Sequence, residues 1–201
     1  IRLKVGRWKV HGSPLVFLVD FSPYMAQKNE ILSYLWETYK VDSISGQWDY
    51  VESLLFGYAA GVVVESFYKF HLTAADKVVA HFNEWMTGSG ALHLRDKLPQ
   101  VATLFTTHAT TVGRSLAGNS FPVYDEMAGY DADLKAQELG VVAKHSLEKM
   151  AAANVDCFTT VSDITANECA HFLKRSVDVV SPNGFENDFV PEGTKYDEKR
   201  K

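Results

Sequence analysis

Apolar residues along this chain follow two rhythms. Short β-rich runs recur at residues 15–21, 77–80, 101–107, 157–161 and 177–181, each followed by turn or helix-start chemistry, and residues 1–5 read as a further strand. Continuous apolar runs of this length suit strands buried on both faces, as in a parallel sheet covered by helices. Between them the period lengthens. Ile31, Leu32, Leu35 and Trp36 share one face of a helix predicted over 29–39. Residues 53–67 are apolar nearly all round, which predicts a buried helix. Leu139, Val142, Ala143, Leu147 and Met150 form the stripe of a helix predicted over 134–153, and Ser162 is a suitable N-cap for another over 163–173. Strands alternating with helices imply right-handed crossovers and an α/β fold with a doubly wound, mainly parallel sheet.

Composition narrows the class. A chain of 201 residues is long enough to bury roughly 70% of its unfolded surface. With 46% hydrophobic and 22% charged residues it reads as a soluble globular protein. A net charge of −5 excludes an extended nucleic-acid surface, which needs clustered Lys and Arg, so any bound anion is expected to be small. Cys157 and Cys169 lie apart without a CxxC spacing, suggesting neither a disulfide framework nor a zinc site, and a reducing, cytoplasmic setting. The longest uninterrupted apolar runs, 15–21 and 61–64, fall short of the ~20 residues of a membrane helix, so no span is expected. The chain starts at Ile1, already inside a strand-like run, and reads as a piece with structure upstream. Residues 185–201 read as a polar tail or the start of a linker, after a boundary near Asn183.

In an open α/β sheet, ligands bind outside the carboxyl ends of the strands. The run 77–80 leads into His81, Phe82, Asn83, Glu84 and Trp85, then Gly88-Ser89-Gly90, where polar groups, an aromatic and flexible backbone converge. The run 101–107 leads into His108 and, a short turn later, Arg114. A guanidinium matches phosphate oxygens, so this end suits an anionic leaving group such as a diphosphate. Each residue has a plainer reading: His108 as a turn residue, Glu84 as a helix-start carboxylate, Arg114 as a surface charge, Trp85 as core, Asn183-Gly184 as a turn. No GxxxxGK[ST], HExxH, GxGxxG or GxSxG pattern is present.

Longer segments carry a resemblance. GRWKVHGSPLVFLVDF (6–21), AHFNEWMTG (80–88), FTTHATTVGR (105–114), FTTVSDITANECAHFLKR (158–175) and SPNGF (181–185) resemble glycogen synthases of the eukaryotic type, over nearly the whole chain. THAT(x)2GR and FTTVS(x)IT are specific; PNG recurs across many glycosyltransferases. The resemblance implies the N-terminal domain of a GT-B glycosyltransferase, with two Rossmann-like domains facing across a cleft and the donor nucleotide held mainly by the other one. It implies retaining glucosyl transfer from a nucleotide-diphosphate-glucose, UDP-glucose foremost, to the non-reducing end of glycogen or a maltooligosaccharide, with no cofactor or metal. By the same resemblance Glu84, with His81 and Trp85, would meet the acceptor glucan, His108 would lie beside the transferring glucose, and Arg114 would reach the donor phosphates. Asn183 and Gly184 would mark the approach to the interdomain hinge. Any homo-oligomer would form through regions outside the chain.

Two departures qualify this. Family members commonly carry His where Asn83 stands. The glycine-containing donor loop and the nucleotide-binding domain are absent, so this piece alone is expected to be inert. The other function classes compatible with the architecture are a nucleotide-sugar epimerase, which needs no glucan acceptor, and a non-catalytic glucan-binding module.

Overall fold

The computed structural model, which describes residues 1–184, begins with a hairpin. Strands β1 (Arg2–Arg7) and β2 (Leu15–Asp20) pair antiparallel, with Val5 opposite Phe17, in a two-stranded sheet of their own. The doubly buried parallel strand expected at 15–21 is therefore corrected. The chain reverses through His11, Gly12, Ser13 and Pro14, with Gly12 at φ +79° and Trp8 N donating to Pro14 O at 3.0 Å. Only one face of this ribbon is packed: Phe17 meets Phe67 edge-on, while Leu18 on the other face is 64% exposed.

Helices α1 (Lys28–Tyr39) and α2 (Trp48–His71) follow, then β3 (Val79–Asn83), α3 (Gly88–Lys97), β4 (Ala102–Thr107), α4 (Thr111–Gly118), α5 (Ala132–Glu138), α6 (Val142–Asn154), β5 (Cys157–Thr160), α7 (Asp163–Phe172) and β6 (Val179–Val180). The four later strands form one parallel sheet in the order β3-β4-β5-β6. Each crossover steps the same way along the sheet, and right-handed connections then lie on one face. That face carries Ala80, Phe82, Phe105 and Phe158, buried against Leu94, Ala151 and Cys169 of α3, α6 and α7. The other face presents Val79, His81, Asn83 and Ala102, all exposed. The α/β class with a parallel sheet holds; the second helical layer of a doubly wound sheet is not among the described residues.

Three local expectations change. Residues 88–90 are not a flexible loop but the buried start of α3, pressed against α2. A Cβ on Gly61 would fall 2.9 Å from Gly90 Cα, one on Gly57 2.6 Å from Ser89 Oγ, and Ser89 Oγ donates to Leu54 O at 2.6 Å. By length and composition α2 is apolar enough to cross a bilayer, which short apolar runs did not indicate; here it packs on α3. The single helix predicted over 134–153 is two, α5 and α6, because Gly140 at φ +68° ends the first and Val141 N bonds Ala136 O at 2.8 Å. Ser162 does cap α7, accepting from Thr165 N at 3.1 Å.

Candidate active site

The site is built where β3 and β4 end side by side. β3 starts later than the apolar run suggested, so His81, Phe82 and Asn83 are strand residues in alternation, Phe82 inward and the other two outward. Glu84 is the first residue past the strand. Its N–H still bonds Thr106 O at 2.8 Å, but its φ is +66°, a region that costs a non-glycine residue of order 1–3 kcal/mol. Thr87 holds the bend, its N–H donating to Glu84 O at 3.0 Å and its hydroxyl to Asn83 O at 2.7 Å.

The bend aims the Glu84 carboxylate at the end of β4. Oε1 accepts from His108 N at 3.0 Å and lies 2.9 Å from His108 Nδ1. A carboxylate in that position places the imidazole proton on Nδ1 and leaves Nε2 as the group that can meet a ligand. Glu84 Oε2 faces Arg114 Nη2 at 3.9 Å, across a side chain 66% exposed. Such an open pair adds little stability. Among the described residues no hydrogen bond engages the Arg114 guanidinium, so its donors are available to an anion.

Arg114 rides on the first turn of α4, whose N-cap Thr110 accepts from Gly113 N at 3.0 Å. Two buried carboxylates grip this turn. Glu148 of α6 accepts from Thr107 Oγ1 and Thr111 N, both at 2.7 Å. Glu168 of α7 accepts from Thr110 N at 2.8 Å and Thr110 Oγ1 at 2.6 Å. Burial pushes the Glu148 carboxyl up to about 7, against the pull of the Thr107 and Thr111 hydrogen bonds. A Cβ at position 113 would lie 2.2 Å from Glu168 Oε1, so any other residue there displaces the Glu168 carboxylate from this turn.

Sequence reasoning did not single out Glu148 or Glu168. The signal was the face each occupies: Glu148 lies three residues before buried Ala151, and Glu168 three after buried Thr165 and four before buried Phe172.

Glu84, His108 and Arg114 are thus brought together, and the other candidates lie apart. His81 points to the open face, its Nε2 2.7 Å from Thr106 Oγ1, which in turn lies 2.6 Å from Thr159 Oγ1. Asn83 is exposed on the same face, beside a groove of about 430 Å³ lined also by Phe56, Ala60 and Thr87. The Trp85 ring stacks on Tyr50 with centroids 6.0 Å apart, under Lys144, and belongs to core packing. Asn183 and Gly184 are exposed coil past β6, two strands from β4 and so about 10 Å across the sheet. The expected tail, 185–201, lies outside the described residues. Among the described residues no group of three His, Cys, Asp or Glu side chains is arranged to hold a metal ion.

Comparison with known proteins gives this geometry its context. A family profile described as glycogen synthase matches residues 1–190. The chain is 36% identical over 188 residues to the glycogen [starch] synthase of Dictyostelium discoideum, covering 94% of this chain and 21% of that protein. It is 37% identical over 180 residues to glycogen [starch] synthase isoform 2 of Saccharomyces cerevisiae, covering 89% and 25% respectively. With the Neurospora crassa glycogen [starch] synthase it shares 36% identity over 184 residues, 92% of this chain and 26% of that protein. The chain spans about a quarter of the length of the curated relatives it matches. A profile match over nearly its full length, with these identities, places the chain in the glycogen synthase family.

Proposed function

We propose that this chain is the part of a glycogen synthase that presents His108 and Arg114 to the transferring glucose and its diphosphate. The observation that carries the reading is the Glu84 carboxylate, which holds His108 by N–H and Nδ1 and faces Arg114, whose guanidinium makes no hydrogen bond among the described residues, at the carboxyl edge of a parallel sheet. The whole protein would transfer glucose from a nucleotide-diphosphate-glucose, UDP-glucose foremost, to the non-reducing end of an α-1,4-glucan with retention of configuration, in the cytoplasm and without a metal.

The residues divide the work. The bond from the anomeric carbon to the diphosphate breaks, a bond to the acceptor hydroxyl oxygen forms on the same face, and the hydroxyl proton leaves with the diphosphate. Arg114 opposes the charge that develops on the departing oxygens, where a preorganised donor acts without reorganising at the moment of reaction. His108, fixed by Glu84, offers Nε2 to a hydroxyl of the transferring sugar. By the family resemblance Glu84 and the exposed His81 would meet the acceptor, and Asn183 and Gly184 would lead toward the second domain, which would hold the nucleotide.

The test is glucose incorporation into glycogen by the full-length parent, with UDP-, ADP- and GDP-glucose, with and without a glucan primer. Primer-dependent chain growth is expected with one of the three. Donor consumption without growth would replace the synthase reading with an epimerase, and no turnover with any donor would leave a glucan-binding module.

A further inference from the structure

The turn that joins β4 to α4 carries both His108 and Arg114, yet its backbone is held mostly by side chains from elsewhere. Thr107 Oγ1 and Thr111 N donate to the two oxygens of Glu148, 41 and 37 residues away in sequence. Thr110 donates twice to Glu168, by N–H and by hydroxyl. Both carboxylates are almost fully buried, 0% exposed for Glu148 and 2% for Glu168, and they come from two different helices. A buried carboxylate is costly unless every lone pair has a purpose. Here the donors they satisfy are those at the start of α4, where no earlier turn supplies carbonyls. Neither group touches the open side of the site, so neither is a catalytic residue.

We propose that Glu148 and Glu168 are positioning residues for glucosyl transfer: together they clamp the 107–113 turn so that His108 and Arg114 reach the reacting sugar in register. The role rests on the functional reading above for what His108 and Arg114 do; the clamp itself rests on the hydrogen bonds. Glu168 acts through Thr110. With its hydroxyl proton committed to Glu168, Thr110 Oγ1 presents a lone pair to Gly113 N and caps the turn that carries Arg114. Glu148 acts through the flanks, tying the last residue of β4 to the first of α4. A shift of about 1 Å in groups aligned with a reacting centre is enough to lose a large part of the rate.

The experiment uses the full-length parent with Glu148→Met, Glu148→Gln and Thr107→Val. Two quantities are measured with UDP-glucose and glycogen: kcat and KM for each substrate per folded molecule, and amide hydrogen exchange of the peptide spanning 107–114 against the other peptides of the domain. Glu148→Met keeps the side-chain length and removes both acceptors; it is expected to lower kcat/KM for the donor on the order of 100-fold. Exchange should quicken in the 107–114 peptide alone, with KM for glycogen unchanged. Gln keeps an acceptor for Thr111 N and a donor toward Thr107 Oγ1, so Glu148→Gln should restore the local protection and most of the rate.

Should Glu148→Met fail to fold, Thr107→Val removes the bond to Glu148, along with the longer contact of the same hydroxyl with Ala109 O at 3.2 Å, with little change in volume, and the same two quantities decide the matter. Wild-type kcat and KM in Glu148→Met, or loosened exchange spread over the whole domain, would overturn the positioning role. So would Gln doing as much damage as Met. A wild-type parent that transfers no glucose would sink the functional reading instead, and exchange at 107–114 would still show whether the clamp exists.

Discussion

The β1–β2 hairpin and the β3–β4 edge of the parallel sheet look alike as sequence, since both combine apolar strand runs with a polar exit, but they end in opposite conditions. At the β3–β4 edge every strand exit is tied: Glu84 to His108, Thr107 and Thr111 to Glu148, Thr110 to Glu168. In the hairpin, Leu3, Val5, Trp8, Leu15 and Leu18 are all exposed, and the side-chain hydrogen bond near its turn, from Arg7 to Ser13 O, is itself exposed. The difference teaches that apolar alternation marks a strand without saying what covers it. Polar anchors from distant helices distinguish the β3–β4 strand ends from the hairpin.

The comparison breaks most visibly at Glu84. Glu84→Ala in the full-length parent frees His108 at both N and Nδ1 and should lower kcat/KM roughly 100- to 1000-fold, whereas Glu84→Gln, which keeps an acceptor for both bonds, should lose much less. Steady-state kinetics of the two variants decide it, and equal losses would deny the anchoring role.

Behind the same edge, Gly90→Val tests the close approach of α3 to α2. Its Cβ would lie 2.4 Å from Gly57 O and 2.7 Å from Phe82 Cε1, and the obstacle on one side is backbone. The expected cost is about 3 kcal/mol, read as a fall in the chemical-denaturation midpoint.

Glu148 sharpens the comparison through pH. Its folded carboxyl titrates near 7 against an ordinary value of 4.5, because burial disfavours the anion. The folded state therefore binds the proton more tightly than the unfolded one. This contribution to stability is complete below the ordinary value and is lost as pH rises toward 7 and past it. The Glu84 carboxylate adds to the cost of charging Glu148, while the hydrogen bonds from Thr107 and Thr111 oppose the rise. Glu148→Gln has no proton to lose, so its stability relative to wild type should improve by roughly 1–3 kcal/mol between about pH 5 and pH 7.5 in urea unfolding. A constant difference across that range would contradict the buried, raised carboxyl.

The smallest effect belongs to the hairpin. Leu18→Lys should change the stability of the 201-residue chain by less than about 0.5 kcal/mol. A much larger loss for the same substitution in the full-length parent would show that the hairpin is covered there.

Much of this was legible in the residues. Runs at 101–107 and 157–161 fell almost on β4 and β5, Ser162 announced the start of α7, and Glu84, His108 and Arg114 stood out because they leave strands at the carboxyl edge. The failures have separate physical causes. The 15–21 run by itself does not show its partner; Gly12-Ser13-Pro14 is the signal of a reversal between two strand-like stretches. Gly140 is a helix terminator whose effect was masked by apolar periodicity that continues across it. Gly88, Ser89 and Gly90 looked like loop because small residues serve both flexible turns and tight helix crossings, and only the position of α2 separates the two. Nothing in the local sequence singles out Glu148 and Glu168; their burial depends on contacts tens of residues away, which no local pattern records.

The most direct measurement is turnover of the full-length parent carrying Arg114→Ala, with its donor and glycogen both saturating. A guanidinium that stabilises the departing diphosphate predicts a kcat lower by roughly 100-fold or more, with KM for glycogen near the wild-type value. Turnover close to wild type would contradict the assignment of the Glu84–His108–Arg114 edge as the place where glucose changes hands.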